Sequence, residues 1–66
     1  MFYVIRDPNG CYYQGKVTPR WSPNLQRCWK FLDATGAARE MCGLNVSKCD
    51  IIEVASEQVW KEVGKV

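Results

Sequence analysis

The fold is decided by two neighbouring stretches, Asp33-Ala-Thr-Gly-Ala-Ala-Arg-Glu-Met-Cys-Gly-Leu44 and Cys49-Asp-Ile-Ile-Glu-Val54. The first repeats small or apolar residues at the spacing of one α-helix face. Asp33 or Thr35 can cap its first turn, and Gly43 suits the left-handed position that ends a helix. The second stretch is rich in β-branched residues and predicts a strand over 49–54. The residues of the predicted apolar helix face are Ala34, Ala37, Ala38, Met41 and Cys42.

The N-terminal segment predicts a β-hairpin. Residues 2–6, Phe-Tyr-Val-Ile-Arg, are apolar on both sides, which is typical of a central strand. Asp7-Pro-Asn-Gly10 has the composition of a tight turn, because Pro presets φ and Asn-Gly tolerates positive φ. Cys11-Tyr-Tyr-Gln14 is then the returning strand.

A short helix is predicted next, with Ser22 as N-cap and Pro23 at its first position. Trp21 precedes the cap and is placed to pack back on the helix as a staple. The C-terminal segment 56–63 is expected to add a helical turn or two, with Val59, Trp60 and Val63 on one side. The predicted inner face of the short helix comprises Leu25, Cys28, Trp29 and Leu32.

These elements predict one small α+β domain over residues 1–66, with a core over 2–54 and a tail over 55–66. Its sheet is expected to be three-stranded and mainly antiparallel, in the order ββααβ, with the helices on one face. The opposite face would then carry exposed apolar residues. Either the tail with Trp60 or another chain is expected to cover it. That face is predicted to comprise Tyr3, Ile5, Tyr13 and one of Ile51 and Ile52.

Composition limits the class of protein. The chain has 66 residues, of which 47% are hydrophobic, so a folded domain is expected rather than a disordered tail. A domain this small has marginal stability unless a partner, metal, disulfide or dimer contributes. The sequence contains no apolar run of about 18 residues, and its start lacks the basic segment of a signal peptide. A cytoplasmic location is expected.

Enzyme activity is not expected. The chain has no His, which removes the commonest general base and the usual nitrogen ligand of zinc. Nucleophile-elbow, phosphate-loop and metalloprotease motifs are also missing from the sequence. The sequence therefore predicts a non-enzymatic protein that uses no catalytic residue, cofactor or metal.

The four cysteines are interpreted as reduced core thiols. Zinc sites usually contain a pair of ligands two to four residues apart, and no two cysteines here are so close. Cys28 and Cys42 lie on the predicted apolar helix faces, where a free Cys acts as a small hydrophobe. Disulfides and metal binding remain alternatives. The full set is Cys11, Cys28, Cys42 and Cys49.

The middle of the chain carries the candidate binding residues. Residues 8–32 contain four cations and no acid, interleaved with aromatic residues. Trp, Tyr and Arg dominate protein interfaces, and Arg20-Trp21 lies in a loop next to Pro19. The predicted partner-binding residues are Tyr13, Lys16, Arg20, Trp21, Arg27 and Lys30.

Two alternatives use other physical properties. The same cations, with Tyr12 and Trp29 as further stacking residues, suit single-stranded nucleic acid. The uncovered sheet face, in turn, suits a structural homodimer. An imbalance of charge in so short a chain also arises without any function, as a solvated face.

The order of these signals resembles small accessory proteins encoded by phages and prophages. The resemblance covers residues 2–54: an aromatic strand Phe2–Arg6, a Tyr-rich return strand, a Leu25 to Phe31 helix, a capped Ala helix and the strand Ile51–Val54. The four cysteines and the Trp60 tail depart from that pattern. The resemblance implies a protein that binds a host protein without catalysis, as anti-CRISPR and other anti-defence inhibitors do. The leading expectation is therefore a protein-binding module that occludes a host protein sterically.

Overall fold

The computed structural model describes residues 1–44 and 48–66 and contains one antiparallel sheet of five strands, in the order β3-β2-β1-β4-β5. The strands are β1 Phe2–Arg6, β2 Tyr12–Tyr13, β3 Trp21–Ser22, β4 Asp50–Val54 and β5 Glu62–Lys65. The described residues contain one α-helix, α1 Ala34–Gly43, and one 3₁₀ helix, Leu25–Arg27. The α+β class is confirmed. The predicted three strands and ββααβ order are wrong, because β3 and β5 extend the sheet at both edges.

The N-terminal hairpin and its turn are confirmed. One side-chain oxygen of Asp7 accepts hydrogen bonds from the backbone N–H of Asn9 at 3.0 Å and of Cys11 at 2.8 Å. Gly10 has the positive φ of +86° that the turn requires. β1 pairs along its whole length with β4, from Phe2 opposite Val54 to Arg6 opposite Asp50. β1 is therefore the central strand.

The predicted helix beginning at Ser22 is wrong. Ser22 pairs with Tyr12 as part of β3, and Asn24 caps the single 3₁₀ turn instead. Cys28 has an extended backbone, and Phe31 is bridged to Tyr3 by two backbone hydrogen bonds of 2.8 Å. Backbone bonds to the sheet thus replace those of a helix.

This extended backbone changes which side chains are buried. Leu25 and Cys28 pack in the core as expected. Trp29 and Leu32 do not, with 53% and 90% of their surfaces exposed. Successive side chains of an extended segment point to opposite sides, so a helical spacing cannot describe them. Trp21 packs beside Tyr13 on the sheet rather than as a helix staple.

The main helix forms where the sequence predicts it. The Asp33 side chain accepts a hydrogen bond from the Gly36 N–H at 2.6 Å, so Asp33 is the cap. Gly43 is the last helical residue rather than the position after the end. Ala37 is fully buried against the sheet, whereas Cys42, expected on the apolar face, is exposed. The small side chain of Ala37 lets the helix lie close to β1.

The two faces of the sheet carry separate hydrophobic clusters. The helix face, beneath α1, has Ile5, Tyr13 and Ala37 at its centre, with Tyr3 and Ile51 packed against them. The set expected on an uncovered face therefore lies largely under the helix, and this placement was wrong. The opposite face, here called the tail face, is built from Phe2, Val4, Cys28, Ile52 and Val54.

The C-terminal tail packs on the tail face. The sequence predicted that either the tail with Trp60 or another chain would cover the face opposite the helices. Trp60 packs on this cluster, and its ring meets that of Phe2 edge-on with centroids 5.6 Å apart. The tail is not helical beyond one turn: the Trp60 N–H donates to the Ser56 carbonyl at 2.8 Å, after which the chain continues into β5. The 3₁₀ helix covers the same face, so the expectation of helices on one face only is wrong.

Candidate functional site

Two adjoining pockets lie between the loop of residues 15–20 and α1. The larger, here the Trp29 pocket, has a volume of about 480 Å³, and the smaller, here the Arg20 pocket, about 240 Å³. Because Lys16 and Glu40 line both pockets, the two form one groove. The Trp29 pocket is lined by Gly15, Lys16, Val17, Trp29 and Glu40. The Arg20 pocket is lined by Tyr13, Lys16, Arg20, Glu40, Gly43 and Leu44.

Trp29 is held in place although half of its surface faces solvent. Its backbone N–H donates to the Tyr13 carbonyl at 2.7 Å. Its ring lies directly against Gly15, where an added Cβ would come within 2.6 Å of the Trp29 Cε3. Gly15 also has a φ of +86°, which side chains rarely adopt. A glycine is therefore required on two counts, and the indole is positioned before any partner arrives.

The loop that carries Lys16, Val17 and Arg20 is tied at its base by Gln14. The backbone N–H of Gln14 donates to the Arg20 carbonyl at 2.7 Å, and its side-chain amide donates to the Pro19 carbonyl at 2.6 Å. Gln14 is buried, so these bonds also give partners to its backbone N–H and its side-chain amide nitrogen. The three loop side chains remain exposed at the rim of the groove.

Glu40 lies at the junction of the two pockets, and a hydrogen bond from the sheet holds its carboxylate in place. The buried phenol of Tyr13 donates to its Oε2 at 2.6 Å. Burial, with the hydrogen bond and charge of Glu40, raises the pKa of Tyr13, while the Arg20 charge acts in the opposite direction. Tyr13 therefore stays a neutral donor. Trp21 packs against Tyr13 with ring centroids 5.5 Å apart and supports it from the edge of the sheet.

The groove has an excess of positive charge. Its cations are Lys16 and Arg20, and its carboxylate is Glu40. Within residues 1–44 and 48–66, the ion pairs join Arg6 to Glu62 and Lys65 to Asp50, and neither groove cation takes part in one. The two cations are thus free to meet an incoming anionic group.

The structure does not bring the six predicted partner-binding residues together at one site. Lys16 and Arg20 line the groove, and Tyr13 forms its floor rather than its surface. Lys30 instead lies over the Trp60 ring, 5.4 Å from its centroid, on the tail face. The two remaining residues lie outside the groove lining: Trp21 in β3 and Arg27 in the 3₁₀ helix.

Sequence reasoning missed five groove residues and assigned a sixth to the wrong element. The residues not named as binding residues are Gly15, Val17, Glu40, Gly43 and Leu44. Trp29 was assigned to the inner face of a helix and was named as a stacking residue only for the nucleic-acid alternative. In the segment from Cys28 to Phe31, successive side chains alternate between the two faces of the sheet, as in a strand. Cys28 and Lys30 face the tail cluster, whereas Trp29 and Phe31 face the helix side. A strand-like periodicity over these four residues was the available signal. Which loop lies over Trp29 depends on backbone pairing between residues far apart in the sequence, and no local sequence pattern indicates that pairing.

The polar cluster on the tail face has a structural role. Glu62 accepts hydrogen bonds from Arg6, at 3.0 Å, and from the hydroxyl of Tyr12. Burial and the neighbouring Glu62 raise the pKa of Tyr12. These bonds join β5 to the central hairpin.

The cysteines do not converge on a site. All four carry free thiols, with Cys28 buried, Cys42 exposed and the others half-buried. Burial raises the pKa of Cys28, and burial with the charges of Asp7 and Asp50 raises that of Cys49. Raised values disfavour the thiolate that metals and electrophiles require. In the part of the chain that the structure describes, no three potential ligands come together to hold a metal ion.

Comparison with known proteins gives no relative. No protein-family model, curated protein sequence or solved structure matches the chain. Across the described ranges, no helix has the length and apolar character needed to cross a bilayer. The groove itself is therefore the basis for a functional proposal.

Proposed function

We propose that the protein is a non-enzymatic protein-binding module whose binding surface is the groove between residues 15–20 and α1. The supporting observation is Trp29, which is 53% exposed yet anchored on Gly15 beside two exposed cations. A positioned aromatic residue next to cations is the composition of an interface hot spot. Fixing these side chains beforehand lowers the entropy lost on binding.

A module of this kind acts by occupying a surface of its partner. Steric occlusion needs no chemistry from the bound protein, so it agrees with the inhibitor class that the sequence resemblance implies. That class, and an origin in a phage or prophage, remain predictions. The absence of enzyme activity also remains a prediction.

Nucleic-acid binding is the second candidate, favoured by the exposed Trp29 ring beside Lys16 and Arg20. The distribution of charge supports it less than protein binding. Lys30 belongs to the opposite face, over Trp60, so the four cations do not form one continuous track. Nucleic-acid binding predicts that affinity falls steeply with salt. The homodimer alternative has less support than either, because α1 packs on one sheet face and Trp60 with the 3₁₀ helix packs on the other.

Capture from a cell lysate tests the proposal when groove variants are compared. Tagged wild-type protein, Trp29→Ala and Leu32→Ala are each incubated with lysate, in parallel with and without nuclease treatment. Leu32 is the matched control, since it is 90% exposed and does not line the groove. We expect a stoichiometric protein that wild type and Leu32→Ala retain and Trp29→Ala loses. Equal retention of the captured protein by Trp29→Ala would contradict the proposal. Captured material that disappears on nuclease treatment would favour nucleic acid.

A further inference from the structure

We infer that the groove takes an acidic peptide segment, with an apolar side chain in the Trp29 pocket and a carboxylate between Lys16 and Arg20. This inference rests on the proposed function and specifies the chemistry of the partner. It follows from the different character of the two pockets and from the position of Glu40 between them.

The Trp29 pocket suits an apolar side chain. The Trp29 ring, the Val17 side chain and the Gly15 backbone provide apolar walls, and Val17 is 56% exposed. At about 480 Å³ this pocket has twice the volume of its neighbour, so it is the place for a bulky group. Covering Trp29 and Val17 would remove apolar surface from water and so favour binding.

The Arg20 pocket suits an anion. Lys16 and Arg20 are exposed at its rim, and neither forms an ion pair among the described residues. Arg presents a planar fork of donors that matches a carboxylate, and Lys adds a point charge. An apolar group and an acidic group on one ligand would thus reach both pockets together.

Glu40 selects a peptide over a phosphate chain. Its Oε2 accepts the Tyr13 hydroxyl, and its second carboxylate oxygen is available to accept one more hydrogen bond. A peptide backbone supplies an N–H donor for this oxygen as well as side-chain carboxylates for the cations. A phosphodiester backbone supplies only acceptors, so the chain that meets the two cations carries no donor for this Glu40 oxygen. The groove therefore needs a ligand that both donates and accepts.

Four synthetic probes separate these features. The first is a short Asp/Gly peptide that carries one Leu. The second replaces its Asp residues with Lys, the third replaces its Leu with Gly, and the fourth is oligothymidylate. Each is titrated to millimolar concentration into ¹⁵N-labelled protein, and the indole N–H resonance of Trp29, assigned with Trp29→Phe, reports binding.

We expect the acidic Leu peptide to shift the Trp29 resonance saturably, the Leu-free peptide to bind more weakly, and the basic peptide and oligothymidylate to shift it least. The double variant Lys16→Ala with Arg20→Ala should weaken the acidic peptide about tenfold, from two lost charge pairs. The matched double variant Arg27→Ala with Lys30→Ala removes the same charge and should leave affinity unchanged. Glu40→Gln should increase the response to oligothymidylate.

Several results would overturn the inference: no Trp29 shift with the acidic Leu peptide, an equal shift with the basic peptide or oligothymidylate, or equal weakening by the two double variants. The proposed function fails separately, when Trp29→Ala retains the captured protein. A Trp29-dependent partner combined with preference for the basic peptide would leave the binding module standing and remove the acidic ligand.

Discussion

The hydroxyl of Tyr13 on β2 donates a 2.6 Å hydrogen bond to Glu40 on α1 and so joins the sheet to the helix beneath the groove. Tyr13 is buried, with 2% of its surface exposed, whereas Glu40 is half-buried. This contact serves both stability and binding, because it orients the one carboxylate of the groove. Its removal should therefore have a measurable effect on folding.

We predict that Tyr13→Phe lowers the free energy of unfolding by about 1.5–2 kcal/mol, the lower end of the range for a hydrogen bond to a charged group, because Glu40 keeps partial access to water. Urea denaturation at neutral pH measures the change. Tyr3→Phe is the matched control, because Tyr3 packs in the same cluster and its hydroxyl has no hydrogen bond within the described residues. An equal loss in both variants would mean that the Glu40 contact contributes nothing.

Stability should fall at alkaline pH. Burial raises the folded-state pKa of Tyr13, so the folded protein holds this proton more tightly than the unfolded chain does. The contribution is fully present below the ordinary tyrosine pKa of about 10 and is lost as pH rises through the folded value. Tyr12 acts in the same direction, and the raised pKa values of Cys28 and Cys49 begin the decline from about pH 9.

Urea denaturation between pH 7 and 11 under reducing conditions tests this sign. These two limits are chosen to lie on either side of about 10, the ordinary tyrosine pKa. The difference in stability between wild type and Tyr13→Phe should shrink as pH rises, since only wild type loses the Tyr13 contribution. A difference that stays constant to the upper limit would show that Tyr13 titrates alike in both states.

Gly15→Ala should damage the groove, and Gly10→Ala provides its control. Both glycines have a φ of +86°, so both substitutions impose similar backbone strain. The added Cβ at Gly10 meets nothing within 4 Å, whereas at Gly15 it comes within 2.6 Å of Trp29. We expect a loss of about 1 kcal/mol for Gly10→Ala and about 2–3 kcal/mol for Gly15→Ala.

The Trp29 indole resonance should move in Gly15→Ala and stay in place in Gly10→Ala, which a spectrum of each folded variant measures. Equal stability losses with an unmoved Trp29 resonance would show that the ring does not depend on Gly15. The comparison therefore separates the cost of backbone conformation from the cost of displacing the ring.

Local signals in the sequence predicted the parts of the fold that local chemistry determines. The Asp33 cap, the Asp7–Gly10 turn and the two long strands each depend on residues within a few positions of one another. β5 was not predicted, because its pairing with β4 depends on a turn that closes through backbone bonds such as Ala55 N–H to the Lys61 carbonyl.

The candidate site was predicted only in part for the same reason. Lys16 and Arg20 were identified from composition and do line the groove. Trp29 was misplaced because Leu25, Cys28 and Trp29 satisfy a helical spacing. That spacing is overridden by backbone hydrogen bonds from Trp29 and Phe31 to the sheet. Tertiary pairing of this kind outweighs local propensity.

Trp29 and Trp60 should differ in what they do. Trp60 packs on the tail face against Phe2 and beneath Lys30, so Trp60→Ala should lower the free energy of unfolding by about 2–3 kcal/mol. Trp29 is 53% exposed and has few buried contacts to lose, so Trp29→Ala should cost about 1 kcal/mol or less. Lys30→Ala should cost about 0.5–1 kcal/mol, the value of an exposed cation–π contact.

Urea denaturation of the three variants, combined with partner capture by each folded protein, gives the comparison. We expect Trp29→Ala to keep stability and lose the partner, and Trp60→Ala to lose stability and keep the partner wherever it is folded. The reverse pattern would move the binding surface from the groove to the tail face.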